Sequence, residues 1–370
     1  MDDLNTVDAI IQKAIKNELF PGAALGIVTE SGVTIKKFYG RHTFVPWSRP
    51  VDQSSLFDLA SLTKPLCTAL LVALLVQDQS LSLKQTISDF FPSLTPDKKD
   101  ITIYHLLTHS SGLDAWMPLY KDIQQRHLKS TNHRLNLACQ HILARPLLYK
   151  TGTKSVYSDL GFILLAQIIQ KVSDDSLWSL AQKKLFFPLK LNNIGSFHEK
   201  PPSLTYSVPT GFCPVRNRIC WGEVNDLNAW SICSLSGHAG LYSNLGDIIG
   251  LLKAIMAGYS GQEIDDFPIN PLTIRLFLTN RSKHKSINWA LGFDRPSHKG
   301  STCGEFFSRN SIGHLGYTGT SFWMDLEAKL FVIFLSARTF PFDNTKDKTL
   351  MKNFRITLHN EIRKILDSTL

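Results

Sequence analysis

The sequence predicts an α/β protein in which one antiparallel sheet, flanked by N- and C-terminal helices, carries an inserted all-helical domain. Three observations point there. Strand-like runs gather at both chain ends, helical windows fill the middle from Ser61 to about Phe212, and amphipathic segments bracket the whole.

The first helix is expected over Val7 to Leu19, apolar at Val7, Ile10, Ile11, Ala14 and Ile15, and stopped by Pro21-Gly22. Ala23 to Thr29 and Val33 to Tyr39, separated by the Ser31-Gly32 turn, read as an antiparallel hairpin. Helical windows then run over Leu66 to Gln77, His133 to Ala144, Gly161 to Val172 and Leu177 to Phe186. Strand-like runs return at Trp289 to Phe293, Ser321 to Leu326 and Leu330 to Leu335, before a closing amphipathic helix over Leu350 to Leu366. The implied division gives residues 1–60 with 235–370 to the sheet domain and residues 61–234 to the helical domain, with the active site at their interface.

With 370 residues, 43% of them hydrophobic and 19% charged, the chain can bury a sizeable core, which excludes a small stapled scaffold and wholesale disorder. The longest apolar stretch, Leu66 to Val76, falls short of the ~20 residues of a membrane-spanning helix and reads as a buried helix. Met1-Asp2-Asp3 opens no basic leader or apolar signal core, so the expected location is cytoplasmic, with non-standard export left open. The six cysteines are scattered and read as reduced thiols; Cys213 and Cys220, flanking Arg216 and Arg218, would bridge only in an oxidising compartment. Forty Lys and Arg against thirty-one Asp and Glu give a net charge of +9, but the basic residues are dispersed and carry no groove-binding signature. The reading is a solvated surface with no nucleic-acid partner.

Chemistry concentrates in three short segments. In Ser61-Leu62-Thr63-Lys64, a helix starting near Ser61 puts Lys64 one turn on, on the hydroxyl's face, where a base meets a nucleophile. A helix N-terminus there favours a developing oxyanion, and burial would lower the Lys64 pKa by disfavouring its charge. A second Ser-x-x-Lys match, Ser282 to Lys285, lies in a charged, non-periodic stretch and reads as accidental. Tyr157-Ser158-Asp159 opens another apolar helix, with Asp159 also a candidate cap, and His314-Leu315-Gly316-Tyr317 lies just before a strand. His105 and His109 have the i, i+4 spacing of a metal pair but lack the adjacent Glu of zinc peptidases, so they read as structural and no metal or cofactor is expected. Neither a G-x-S-x-G elbow nor a phosphate-binding G-x-x-x-x-G-K-[ST] loop occurs.

Taken in this order, and with Phe20-Pro21-Gly22-Ala23-Ala24, Leu106 to Leu113, Gly222 to Ala229 and Ser236 to Ser243, these segments resemble the serine β-lactamase and penicillin-binding protein superfamily. The resemblance covers most of the chain and lies in the class C β-lactamase, D-alanyl-D-alanine carboxypeptidase and family VIII esterase branch, nearest the penicillin-binding-protein-4B-like serine hydrolases. It implies Ser61 as nucleophile, Lys64 and Tyr157 as a proton-handling pair, and Asp159, His314, Gly316 and Tyr317 in contact with substrate. Backbone N–H groups of Ser61 and Tyr317 would form the oxyanion hole.

Efficient β-lactamases of this group usually carry Asn where this chain has Asp159 and Lys where it has His314. An ionised Asp159 near Lys64 would stabilise the ammonium and oppose its desolvation, making Lys64 a poorer base and shifting the burden to Tyr157. The resemblance therefore implies an acyl-enzyme hydrolase of D-alanyl-D-alanine carboxypeptidase type, penicillin-reactive and a weak β-lactamase, acting on a small-molecule D-alanyl peptide, β-lactam or ester. A family-VIII-like carboxylesterase is the alternative enzyme, and a non-catalytic muropeptide or β-lactam binder the alternative of another class. His314, with an ordinary pKa near 6.5, is expected to bind substrate carboxylates less well as pH rises through its titration.

Overall fold

The computed structural model describes residues 4–343 and 345–369, with only the helical backbone considered for 345–347 and 369. Five antiparallel strands form the main sheet. In chain order they are β1 (Gly22–Val28), β2 (Thr34–Gly40), β3 (Ile312–Leu315), β4 (Ser321–Asp325) and β5 (Leu330–Ser336), and across the sheet they run β2-β1-β5-β4-β3. The two chain ends thus interleave, Leu25 opposing Phe334 and Gly26 opposing Ile333.

Strand alternation sorts the side chains into two layers. Leu330, Val332 and Phe334 join Ala23, Leu25 and Ile27 against helix α1 (Asn5–Lys16) and the C-terminal helix Thr345–Thr369, around Phe20 and Phe354. Phe331, Ile333 and Leu335 face the opposite way with Ala24 and Met324, into the larger core that the central helices fill. Burial on both faces explains why β1 and β5 read as continuous apolar runs rather than alternating ones.

The helical windows are present, Thr131–Ala144 and Asp159–Ser173 among them. The helix expected from Leu66 is entered differently: a 3-10 turn spans Ala60–Leu62, a π-helical turn Lys64–Ala69, and a regular α-helix only Leu70–Gln77. Residues 60–77 are the only helical run among the described residues long and apolar enough to cross a bilayer, and 83% of that window is buried inside the protein. Trp289 to Phe293 is not a strand. It forms a turn closed by an isolated Trp289–Asp294 bridge, with Gly292 at φ +87, a left-handed conformation that breaks the extended run. The edge strand is instead β3, so His314 lies inside a strand rather than before one.

At that edge the backbone leaves no space for a side chain at residue 313: a Cβ there would stand 2.4 Å from Phe322 O and 2.5 Å from Trp323 Cδ2. Gly313→Ala should lower stability by about 1–3 kcal/mol, read as a fall in Tm by circular dichroism, whereas an unchanged Tm would mean that β3 shifts freely.

Candidate active site

Asp58 fixes the entrance to the Ser61 turn. Its carboxylate accepts from Ala60 N (2.8 Å) and from Asn225 N (2.7 Å), and Ala60 is held at φ +46, a conformation unusual for a residue bearing a Cβ. The turn aims Ser61 into two cavities, one of about 460 Å³ lined also by Tyr157, Trp289, His314, Gly316 and Tyr317, the other of about 570 Å³ lined by Tyr157, Asp159, Asp226 and His238. Six of the seven residues predicted from sequence to form the site line one or both cavities; the seventh, Lys64, touches Ser61 from the buried side.

Lys64 is fully buried. Its ammonium donates to Ser61 Oγ at 2.9 Å and to His238 O at 2.9 Å, and pairs with Asp159 Oδ1 at 2.7 Å. The rings of Tyr157 and Phe162 lie 4.9 and 5.7 Å from Nζ. Burial alone pulls this pKa down. The Asp159 carboxylate and the Tyr157 hydroxyl outweigh it, so the net shift is upward and Lys64 keeps its proton. Burial likewise pushes the Tyr157 hydroxyl up to about 12 against the opposing pull of Lys64. The resting site therefore holds a serine hydroxyl between two groups that both retain their protons.

Asp159 is available for this pairing because the capping role falls to its neighbour: Ser158 Oγ accepts from Gly161 N. Ser158 is itself held from the other side, its N–H donating to His109 Nδ1 at 3.0 Å. His109 packs its ring 4.6 Å from Tyr157 and 4.4 Å from Trp289, while His105 closes a capping box with Thr102. The two histidines of the i, i+4 pair thus have separate structural duties. Trp289 forms a cage with Tyr157, His109 and His314. The Asp226 carboxylate caps the helix Leu227–Ile232 and reaches His238 Nε2 at 2.9 Å, steadying the residue whose carbonyl receives the Lys64 ammonium. The Asn225-Asp226 segment carried no spacing signal, because its partners Asp58 and His238 are distant in sequence.

His314 departs from its expected behaviour. Burial, and secondarily the Lys64 charge, push its pKa down to about 3, so the ring stays neutral. His314 Nδ1 lies 2.9 Å from Leu315 O, and since a carbonyl only accepts, Nδ1 carries the proton. Nε2 is left as a buried acceptor with no partner among the described residues. His314 is consequently a hydrogen-bond acceptor on the cavity wall, and no switch of its charge near neutral pH operates. The cations on that side are Arg338, Lys348, Lys352 and Arg355; Arg355 is committed to Gly319 O and Thr320 O, and Arg338 to Asp343. Tyr317 is gripped there too, its hydroxyl donating to Asp343 and its ring 4.7 Å from Arg338 Cζ.

Comparison with known proteins extends the geometry. A family model described as Beta-lactamase matches residues 7–355. An N-acetylmuramyl-L-alanine amidase of Bacillus subtilis (strain 168) is 30% identical over 345 residues, covering 86% of this chain and 77% of that protein. A putative D-alanyl-D-alanine carboxypeptidase of Escherichia coli (strain K12) is 26% identical over 364 residues, covering 91% of this chain and 82% of that protein. Among solved structures, EstCE1, a hydrolase with promiscuous acyltransferase activity, aligns with a TM-score of 0.74 at 17% identity over 95% of this chain and 98% of its own. A class C beta-lactamase aligns at 0.72 and 20% identity, over 96% and 95% respectively. At those identities the structural likeness speaks to the fold.

The His314 assignment is open to direct measurement. In a histidine-labelled sample the ring resonances of His314 should stay constant from about pH 5.5 to about pH 8, the window in which an ordinary histidine titrates. A titration inside that window would show a ring able to charge.

Proposed function

We propose, for a chain that belongs to the β-lactamase family, a serine hydrolase that forms an acyl-enzyme on Ser61 and cuts D-alanyl-D-alanine bonds in peptidoglycan-derived peptides. The observation that carries this reading is the 2.9 Å contact between the buried Lys64 ammonium and Ser61 Oγ, with Tyr157 lining the same cavity. A binder that never reacts has no need of a hydroxyl so placed.

Attack on an amide carbonyl requires Ser61 to lose its proton, donors for the developing oxyanion and an acid for the leaving amine. Lys64 reaches Ser61 directly, and a deprotonated Lys64 would take the hydroxyl proton. Tyr157 would relay it to the leaving nitrogen, and backbone N–H groups of Ser61 and Tyr317 would receive the oxyanion. Asp159 restrains this sequence by stabilising the ammonium. Slow penicillin acylation and weaker β-lactam turnover follow from that restraint. Lys348 and Lys352 supply positive charge for an anionic substrate, in place of the neutral His314.

A second reading concerns which amide is cut. The 30% identical relative is named for the N-acetylmuramyl-L-alanine bond, and an uncharged His314 is a poor reader of a terminal carboxylate beside the scissile bond. Both reactions use the same acyl-enzyme chemistry and differ in which group leaves. Incubation with a muramyl pentapeptide separates them by mass spectrometry: release of free D-alanine is expected, and release of an intact L-alanyl peptide would move the assignment to the amidase.

Two further outcomes test the chemistry. Intact-mass measurement after exposure to a penicillin should show one adduct, located on Ser61 and absent in Ser61→Ala; no adduct, together with no peptide or ester turnover, would favour the binder. In Asp159→Asn, burial of Lys64 remains while its counter-charge is gone, so the Lys64 pKa falls. The alkaline rise of the acylation rate should then move about one to three pH units lower. A profile left in place would remove Asp159 from control of the base.

A further inference from the structure

The cavity of about 460 Å³ beside Ser61 carries a carboxylate that the chemistry above does not use, that of Asp294. The backbone seats this residue against the edge strand. Its N–H donates to Gly313 O at 2.8 Å and its carbonyl accepts from Gly313 N at 3.0 Å, one residue from His314. Across the turn that holds Gly292 it pairs with Trp289. The side chain is half-buried. Among the described residues its carboxylate accepts only from Arg295 N, at 2.8 Å, and forms no ion pair.

Cations line the same cavity, yet none answers this charge. Arg338 is paired with Asp343, Arg355 donates to Gly319 O and Thr320 O, and Lys348 stands 5.0 Å from the Tyr317 ring. Arg295 turns its own guanidinium to Asn280 O at 3.0 Å. Burial pushes the Asp294 carboxyl up to about 7, opposed by the hydrogen bond from Arg295 N and by no cation.

We propose that Asp294 makes this cavity a binding site for a primary ammonium, so that the substrate preferred at Ser61 carries a free amine. Three groups in the cavity share that complementarity. Besides the carboxylate, His314 Nε2 is an acceptor without a partner among the described residues, in a side chain 2% exposed. The Trp289 indole, its ring 5.8 Å from that of His314, adds an aromatic surface that attracts cations. An ammonium has three donors, enough for the carboxylate and Nε2 together. A neutral hydroxyl or amide answers His314 but leaves the Asp294 charge unpaired. Lys348 and Lys352 remain for a carboxylate on the same molecule, so the substrate class is a peptide with a diamino acid residue near the bond that is cut.

The test compares Nα-acetyl-L-lysyl-D-alanyl-D-alanine with its Nε-acetylated twin, each bound to intact Ser61→Ala protein and read by calorimetry. At about pH 8 Asp294 is ionised and a lysine amine is still charged. The free-amine peptide should bind at least about tenfold more tightly, and with Asp294→Asn added the two affinities should fall within about twofold of each other. Zero-length carbodiimide coupling needs no second variant: peptide mapping should find the lysine amine joined to Asp294. Equal affinities, no binding of the free-amine peptide, a preference that survives Asp294→Asn, or coupling to Asp159 or Asp226 of the neighbouring cavity would overturn the proposal. The substrate preference rests on the hydrolase reading, under which kcat/KM of the active protein should follow the same order. Should the active protein cut neither peptide, the hydrolase reading falls while the binding ratio still decides this site.

Discussion

A lysine ammonium with no exposure to water is the constraint around which the site is organised. Removing one partner from a buried ion pair typically costs about 3–5 kcal/mol, because the remaining charge has nothing to answer it. Lys64 is answered on every side: by the Asp159 carboxylate, by His238 O, by Ser61 Oγ and by two aromatic faces. These partners come from three stretches of chain, so the fold must bring the segment from Tyr157 to Phe162, the loop ending at His238 and the Ser61 turn to one point. Asp58 and Asp226 brace those segments.

The same arrangement explains a tension in the chemistry. A lysine acting as base has to be neutral at the moment of attack, and this one is stabilised as a cation. Burial and the carboxylate pull in opposite directions, and the carboxylate prevails. With Asn at that position burial would be opposed by the Tyr157 hydroxyl but by no carboxylate, a condition in which lysine is more readily deprotonated. One oxygen of the Asp159 side chain thus supplies the negative charge that holds the Lys64 ammonium. His314 completes the contrast, since a buried ring next to a fixed cation stays uncharged and reads hydrogen bonds instead of carboxylates.

Much of this was legible in the sequence. The antiparallel sheet built from both chain ends followed from where the β-rich runs lie, and Ser61, Lys64 and Tyr157 stood out because an apolar helix follows each motif. The family resemblance is matched by the Beta-lactamase model over residues 7–355. What escaped was set by long-range packing. An acidic residue able to oppose the desolvation of Lys64 was visible in the sequence; that it prevails rests on a 2.7 Å contact that spacing does not give. The neutrality of His314 depended on how deeply β3 is buried. Trp289 was taken for a strand residue because its neighbours are apolar, whereas Gly292 turns the chain and sets the ring against Tyr157 and His314.

The central claim is that Lys64 rests as an ammonium paired with Asp159. Nitrogen NMR of the lysine side chains, with Lys64 identified through Lys64→Arg, measures this directly. The account predicts an ammonium signal that persists to higher pH than those of surface lysines and lies outside their narrow range. A Lys64 nitrogen already in the neutral amine form at physiological pH would contradict it.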